Sequence, residues 1–407
     1  MLYHSMIFKL AWRNIFRNKR RSLITISSII FAVIFSVLMR SLQHGAYDNM
    51  LKNIVGNYQG YVQVHYKGFW DEKTIDNSFY IHDLDTLERN KYIQYINPRI
   101  EGYALASFKK ESKPVIVLGI DLAKERHTIQ LQNKVIKGSF IQENEEGIII
   151  GKGLQKIMNL QINDSLVFLS QGYQGSLASG IYPVVGIIDL KTPELNKRTV
   201  IMNLNQTQTF FGLENMATTA VIGPVNGDWE KAEFELNQVL DTQNLEVMNW
   251  QEMLPELKQL ITVDRAGGTF VLIILYSILT FSLFGTVLML AEERNFEFGV
   301  LIALGMAKSK IIQTTILETL IMALVGVLSG LIITLPIVIY FNIFPINLSG
   351  QMQEVVEQFG FEALLPTSLD PKISLTQAAI VFLIVLLVNS YSIIKIRRIN
   401  PTKAMRS

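Results

Sequence analysis

Cysteine is absent from all 407 residues, which excludes disulfides, thiolate metal sites, a cysteine nucleophile and a lipid-modified N-terminal cysteine. Charge is scarce too. Only 18% of residues are charged against 49% hydrophobic, and the mean hydropathy is +0.27. That balance is too apolar for an ordinary soluble multidomain protein, so part of the chain belongs in lipid. The net charge of +2 points to no nucleic-acid partner. The five histidines, His4, His44, His65, His82 and His127, are isolated, with no carboxylate at ligand spacing; they read as surface residues, and no metal site is expected. Gly147 to Gly153 looks superficially like a phosphate loop, but its glycines are one residue too close and no Ser or Thr follows Lys152. It reads as a strand and turn. No G-x-S-x-G elbow occurs, and Asp83 and Asp85 sit in a polar loop where solvated carboxylates are the default. The chain is therefore expected to carry no catalytic residue and to bind no cofactor.

What is present is apolar length. Residues 267–291 carry no charge and would form a helix of roughly 37 Å, enough for a hydrocarbon core of about 30 Å. Residues 311–341, dense in apolar side chains from Leu320, and 373–394 are long enough as well. The first candidate, 22–40, includes Ser22, Thr25, Ser27, Ser28 and Ser36, yet it is bracketed by Arg20, Arg21 and Arg40. No small-x-small cleavage site follows Met39, so the segment is taken as a span rather than a cleaved leader. Gly326 and Gly330 form a GxxxG step suited to close helix packing. Glu318, at the start of the third span, is expected at the interface, where a carboxylate is ordinary.

Lysine and arginine set the orientation. Lys9, Arg13, Arg17, Lys19, Arg20 and Arg21 precede the first span, and Lys395, Arg397, Arg398, Lys403 and Arg406 follow the last, with no acidic residue in either tail. Both termini are therefore expected in the cytoplasm. The expected order is a cytoplasmic amphipathic helix (1–21), first span (22–40), extracytoplasmic domain (41–266), second span (267–291), cytoplasmic loop (292–310), loop end and third span (311–341), external loop (342–372), fourth span (373–394) and cytoplasmic tail (395–407). In the outer loop Glu354, Glu357, Glu362 and Asp370 outnumber Lys372.

Phe8, Ala11, Trp12, Ile15 and Phe16 recur at helical spacing, the pattern of a helix lying in the membrane interface. Leu42, Ala46, Met50, Leu51 and Ile54 extend the first span outward, and a long helix over 229–263 is expected to complete a stalk. Between them β-rich runs at 61–66, 114–120, 147–151, 165–169, 182–188, 199–204 and 218–222 make the external domain α+β. The Gly- and Ser-rich segment 170–180 reads as an extended, mobile hairpin tip.

Glu293, Arg294, Glu297, Phe298, Gly299, Ala303, Leu304 and Gly305 resemble the E-R-x-x-E-F/I-G-x-x-x-A-L/I-G loop of the FtsX, MacB and lipoprotein-release (Lol-type) permease superfamily. Ala11, Arg13, Asn14, Arg17 and Arg21 are similar to that family's start, and Pro401, Ala404 and Arg406 to its end. Val117 to Asp121, Ile149 to Leu154 and Val185 to Ile187 resemble strand signatures of its MacB-like periplasmic domain, although Asn163-Asp164 stands where Gly-Asp is usual.

The resemblance implies a multi-pass α-helical membrane protein of the bacterial inner membrane, with four transmembrane helices and a large periplasmic α+β domain. Its partners would be membrane lipids, a pair of ABC ATPase subunits that bind the ATP and Mg, and a second permease subunit, the same or related. Arg294, Glu297, Phe298, Gly299, Ala303 and Gly305 would belong to the coupling helix that docks on the ATPase. In the Lol-type branch the cargo is lipoprotein, taken from the outer leaflet and passed to a periplasmic carrier. Gly172, Tyr173, Gln174, Gly175, Ser176 and Leu177 would then form the carrier-binding loop. MacB-like mechanotransmission or efflux is the next expectation, and FtsX-like control of cell-wall hydrolases follows. A membrane sensor would need an output module, for which the inner segments are too short.

Overall fold

The computed structural model describes residues 2–17, 19–87, 90–127, 131–142, 145–240, 244–351, 353, 356 and 362–399. The chain divides into two compact units: Met1–Tyr47, Ile261–Ile346 and Leu364–Ser407 form one, Asp48–Leu260 and Asn347–Ala363 the other.

The first unit is helical. Its helices are α1 (Leu2–Arg17), α2 (Lys19–Leu51), α3 (Pro255–Ala303), α4 (Lys308–Ile343) and α5 (Pro371–Arg398). Four of them, α2 to α5, are long and apolar enough to cross a membrane, as uninterrupted apolar sequence demands when the backbone must satisfy its own hydrogen bonds. They meet through small and β-branched side chains. A Cβ on Gly326 would stand 2.7 Å from Ile29 Cγ2, and one on Gly330 2.8 Å from Val33 Cβ, so α4 approaches α2 where it has no side chain. Val37, Leu279, Val381 and Val385 continue the same core.

The second unit is built on a ten-stranded sheet. Its strands are β1 (Val62–Tyr66), β3 (Ile93–Phe108), β4 (Glu111–Ile120), β5 (Val135–Gly138), β6 (Ile148–Gly151), β7 (Ser165–Gln171), β8 (Leu177–Ile188), β9 (Thr199–Asn203), β11 (Thr219–Pro224) and β12 (Leu245–Asn249); the short β2 (Phe79–Tyr80) and β10 (Met216–Ala217) pair with each other. The sixteen-residue β3 organises the sheet: Ile93 to Arg99 pair with β11, and Leu105 to Ser107 pair with β7. Its second half also pairs with β4, and pairings β4–β9, β9–β6, β6–β8 and β8–β7 return to β3. Six strands thus close on themselves as a barrel, which removes exposed strand edges. Ala104, Ala106, Val117, Ile150, Leu166 and Phe168 fill the interior, with Phe211 packed among them.

Several expectations change. The helix expected over 229–263 is interrupted: a helix Trp229–Val239 gives way to β12, which pairs with β1, and the Asn249–Glu252 capping box then starts a new short helix. Strand β3 escaped the β-rich pattern because Pro98, Arg99, Glu101 and Gly102 interrupt its apolar alternation; Arg99 is buried and ion-paired with Glu125 at 2.6 Å. The segment after Gly151 is a helix, Lys152–Met158, rather than a turn, and Lys152 meets Asp189 at 2.6 Å. Asn163 takes φ +74, a backbone position that explains the usual glycine there. On α1, Ala11 is buried while Trp12 and Phe16 are exposed, so the expected apolar face is divided. The side chains of His4, Phe8 and His127, residues Glu354 and Glu357, and the tail from Asn400 to Arg406 lie outside the described residues.

His65 is not a surface residue. It is fully buried, stacks on Phe69, lies 5.3 Å from Trp70 between ring centroids, and shares a 2.6 Å hydrogen bond with Gln63. Burial, with the Lys73 charge nearby, pushes its pKa down to about 3. Below the unfolded value of about 6.5 the unfolded chain takes up a proton that the folded chain refuses, so stability is lost as pH falls from 6.5 toward 3. Between pH 7 and pH 5 the loss should reach about 2 kcal/mol. Denaturation followed by tryptophan fluorescence measures it, and a His65→Leu variant should show a flatter acid limb; an unchanged limb would remove His65 as the cause.

Candidate functional site

At the end of the helical unit that carries the α3–α4 turn, charges from three helices converge. Arg17 ends α1 and Arg21 lies in the first turn of α2, while Glu293 and Glu297 are four residues apart on α3 and so occupy one helix face a turn apart. Arg17 Nη2 donates to both Glu297 oxygens, at 2.8 and 2.6 Å, and Arg21 pairs with Glu293. With side chains about half exposed (53% and 46%), the Arg17–Glu297 pair contributes at most about 1 kcal/mol.

Inside that ladder lies a stronger constraint. Glu318 on α4 is only 7% exposed and Arg294 on α3 only 8%. Arg294 Nη1 donates to Glu318 at 2.6 Å and Nη2 at 3.3 Å, while Asn14 Nδ2 of α1 donates at 2.5 Å. Helices α1, α3 and α4 therefore share one buried carboxylate. Glu318, expected where a carboxylate is ordinary, is enclosed by protein in an ion pair, and Arg294, expected in a docking loop, faces inward. A small cavity of about 60 Å³ adjoins the pair, with Asn389, Ser392 and Lys395 among its lining; it has room for a few waters and none for a cargo molecule.

The inner segment expected as a loop from 292 to 310 is helical as far as Ala303. Gly305 stops the helix with φ +93, and Met306 N bonds to Leu301 O at 2.9 Å across the turn, the left-handed closure for which glycine is suited. Phe298 is buried with Ile311, Ile396 and Ile399, and Lys308 Nζ ties the turn to the carbonyls of Arg397 and Ile399 at 3.1 and 2.7 Å. The expected docking residues thus divide. Arg294, Phe298 and Gly299 face the interior, whereas Glu297, Ala303 and Gly305 are exposed. Leu304, 79% exposed at the tip, was overlooked as a site residue although it lies within the motif; an apolar residue beside a helix-stopping glycine was the available signal. Asn14 was overlooked because its partner is 304 residues away.

In the external unit, Gly172 to Leu177 form the tip of the β7–β8 hairpin, as a tight turn rather than an extended one. Gly172 N bonds to Ser176 O at 2.7 Å, Gln174 N to Asp76 Oδ1 at 2.6 Å, and Tyr173 packs on the barrel core. The adjoining outer barrel surface is apolar. Tyr103, Leu105, Val167, Leu169, Leu177 and Ile181 are all exposed, with Leu105 opposite Leu169 and Val167 opposite Ile181 across the strands.

The chain matches the MacB-like periplasmic core domain over residues 22–239 and the FtsX-like permease C-terminal domain over residues 269–401. It is 24% identical over 360 residues to the macrolide export ATP-binding/permease protein MacB of Mannheimia succiniciproducens, covering 83% of this chain and 53% of that protein. It is 20% identical over 225 residues to the lipoprotein-releasing system transmembrane protein LolE of Haemophilus influenzae, covering 54% of each. The chain spans about half the length of the curated relatives it matches. Among solved structures it is similar to the periplasmic region of MacB from Actinobacillus actinomycetemcomitans, at a TM-score of 0.35 and 13% identity over 52% of this chain and 95% of that one.

Breaking a buried ion pair strands the remaining charge, so Arg294→Met and Glu318→Leu should each destabilise the detergent-solubilised chain by about 3 kcal/mol. The double variant should lose much less than their sum. Thermal unfolding of the four proteins reads the coupling, and strict additivity would show that the pair carries no shared energy.

Proposed function

Because the chain belongs to the FtsX/MacB/LolE permease superfamily, we propose that it is the membrane-spanning subunit of an ABC transporter complex, with ATP and Mg bound by a separate pair of ATPase subunits. The observation that carries this reading is the buried Glu318 shared by α1, α3 and α4 beside an exposed Leu304 tip. A push on the tip is delivered to a rigid junction instead of being absorbed by a loop, and α3 and α4 both continue from it as spans. In this reading the chain lies in the bacterial inner membrane with both termini in the cytoplasm, and the barrel-bearing unit is periplasmic. A second permease subunit, identical or related, completes the complex. Support for its position comes from α3, where 17% of the apolar window is buried against 33% in each other span.

For the cargo we propose lipoprotein, released from the outer leaflet toward a periplasmic carrier. The likeness to LolE supports this, as does the apolar barrel face beside Gly172 to Leu177, a surface able to receive a carrier. A second reading, MacB-type export or mechanotransmission, is favoured by the longer match to MacB, 83% of this chain against 54% for LolE.

Affinity purification in mild detergent with mass spectrometry tests these readings. Recovery of an ABC ATPase with acylated lipoprotein is the expected result; an ATPase with efflux components would move the cargo to the second reading. Loss of all ATPase would remove the transporter function. Leu304→Asp should lower ATPase recovery at least tenfold, a loss of about 1.4 kcal/mol, while membrane insertion is retained. Undiminished recovery would take Leu304 out of the contact.

A further inference from the structure

Helix α1 presents a second face to its surroundings. Ala11 is buried and Asn14 reaches Glu318, but Lys9, Trp12, Arg13 and Phe16 are exposed and together line a shallow, open groove along one face of the helix. Lys9 and Arg13 are four residues apart, as are Trp12 and Phe16, so two cations alternate with two aromatic rings whose centroids are 5.1 Å apart. Arg17 and Arg21 are committed to Glu297 and Glu293; among the described residues Lys9 and Arg13 have no ion pair. No acidic residue precedes Asp48 in the chain, so nothing nearby in sequence neutralises them.

We propose that this groove holds an anionic phospholipid of the surrounding membrane, its phosphate between Lys9 and Arg13 and its acyl chains against Trp12 and Phe16. Charge complementarity selects the occupant: uncommitted cations one turn apart suit a single phosphate, and exposed aromatic rings suit the boundary between headgroup and acyl chain. An acidic soluble protein would satisfy the cations but leave Trp12 and Phe16 wet. The α1–α2 connection adds the required position, since α2 begins at Lys19 as the first span. The inference rests on the membrane placement of the chain and is independent of the ATPase reading.

The test uses the full chain in detergent, delipidated and then offered equal phosphatidylglycerol and phosphatidylcholine of matched acyl length, with retained lipid counted by native mass spectrometry. Two basic residues at about 1 kcal/mol each give a preference for phosphatidylglycerol of about 30-fold. Lys9→Gln with Arg13→Gln should bring retention near parity, while Lys19→Gln with Arg20→Gln, also exposed and basic, should leave most of the preference. The proposal is overturned by absence of preference in the parent chain, by preference unchanged in the first pair of substitutions, or by equal loss in the second, which would mean a diffuse basic flank. Displacement of the lipid by excess inorganic phosphate would reveal a free-anion site and overturn it as well.

Discussion

A carboxylate withdrawn from water must be met by a cation or by hydrogen-bond donors, and the arrangement of the helical unit depends on how Glu318 is met. Arg294 supplies the charge and Asn14 a further donor, so a helix before the first span, the second span and the third span are bound to one point. The exposed Arg17–Glu297 and Arg21–Glu293 pairs add little energy by comparison, but they extend the same junction by a turn. Such a junction resists shear because any sliding of one helix leaves a buried charge unpaired. Between the junction and the Leu304 tip only the end of α3, pinned by Phe298, intervenes.

The external unit solves a different problem. A sheet of this size would expose edges, and closure of six strands removes them over most of its length. The barrel interior is packed with apolar side chains around Phe168 and Phe211, whereas Arg99, Glu125, Gln63 and His65 are buried outside that cluster. Those groups are engaged with one another: Arg99 pairs with Glu125 and also donates to the carbonyl of Tyr58 at 2.5 Å. They therefore specify packing. The apolar surface on β3, β7 and β8 faces outward because alternation on a strand places Val167 and Leu169 outside for the same reason that Leu166 and Phe168 lie inside.

Much of this was legible in one dimension. Apolar runs around Gly267, Leu320 and Ile373 announce spans because lipid offers the backbone no partners, and seven β-rich runs marked strands through their own composition. Strand β3 was not legible, because Arg99 and Glu101 look like surface residues, and Arg99 is enclosed only once Glu125 and the neighbouring strands meet it. The break at β12 was hidden because Leu245 to Asn249 has no strong preference apart from its partner β1. His65 looked solvated for lack of any local sign of Phe69 and Trp70 stacking on it.

For the site the division is sharper. Both motifs of the site, Asn14 to Arg21 and Glu293 to Gly305, stand plainly in the sequence, and the matching four-residue spacing of their opposite charges is visible there. That they interlock is a fact about residues 280 apart. The sequence by itself determined which segments enter lipid and where helices stop, because hydropathy and the left-handed backbone at Gly305 are local properties. Only the tertiary structure decided which charges are buried, since the cost of burying Glu318 depends on whether Arg294 and Asn14 arrive to meet it.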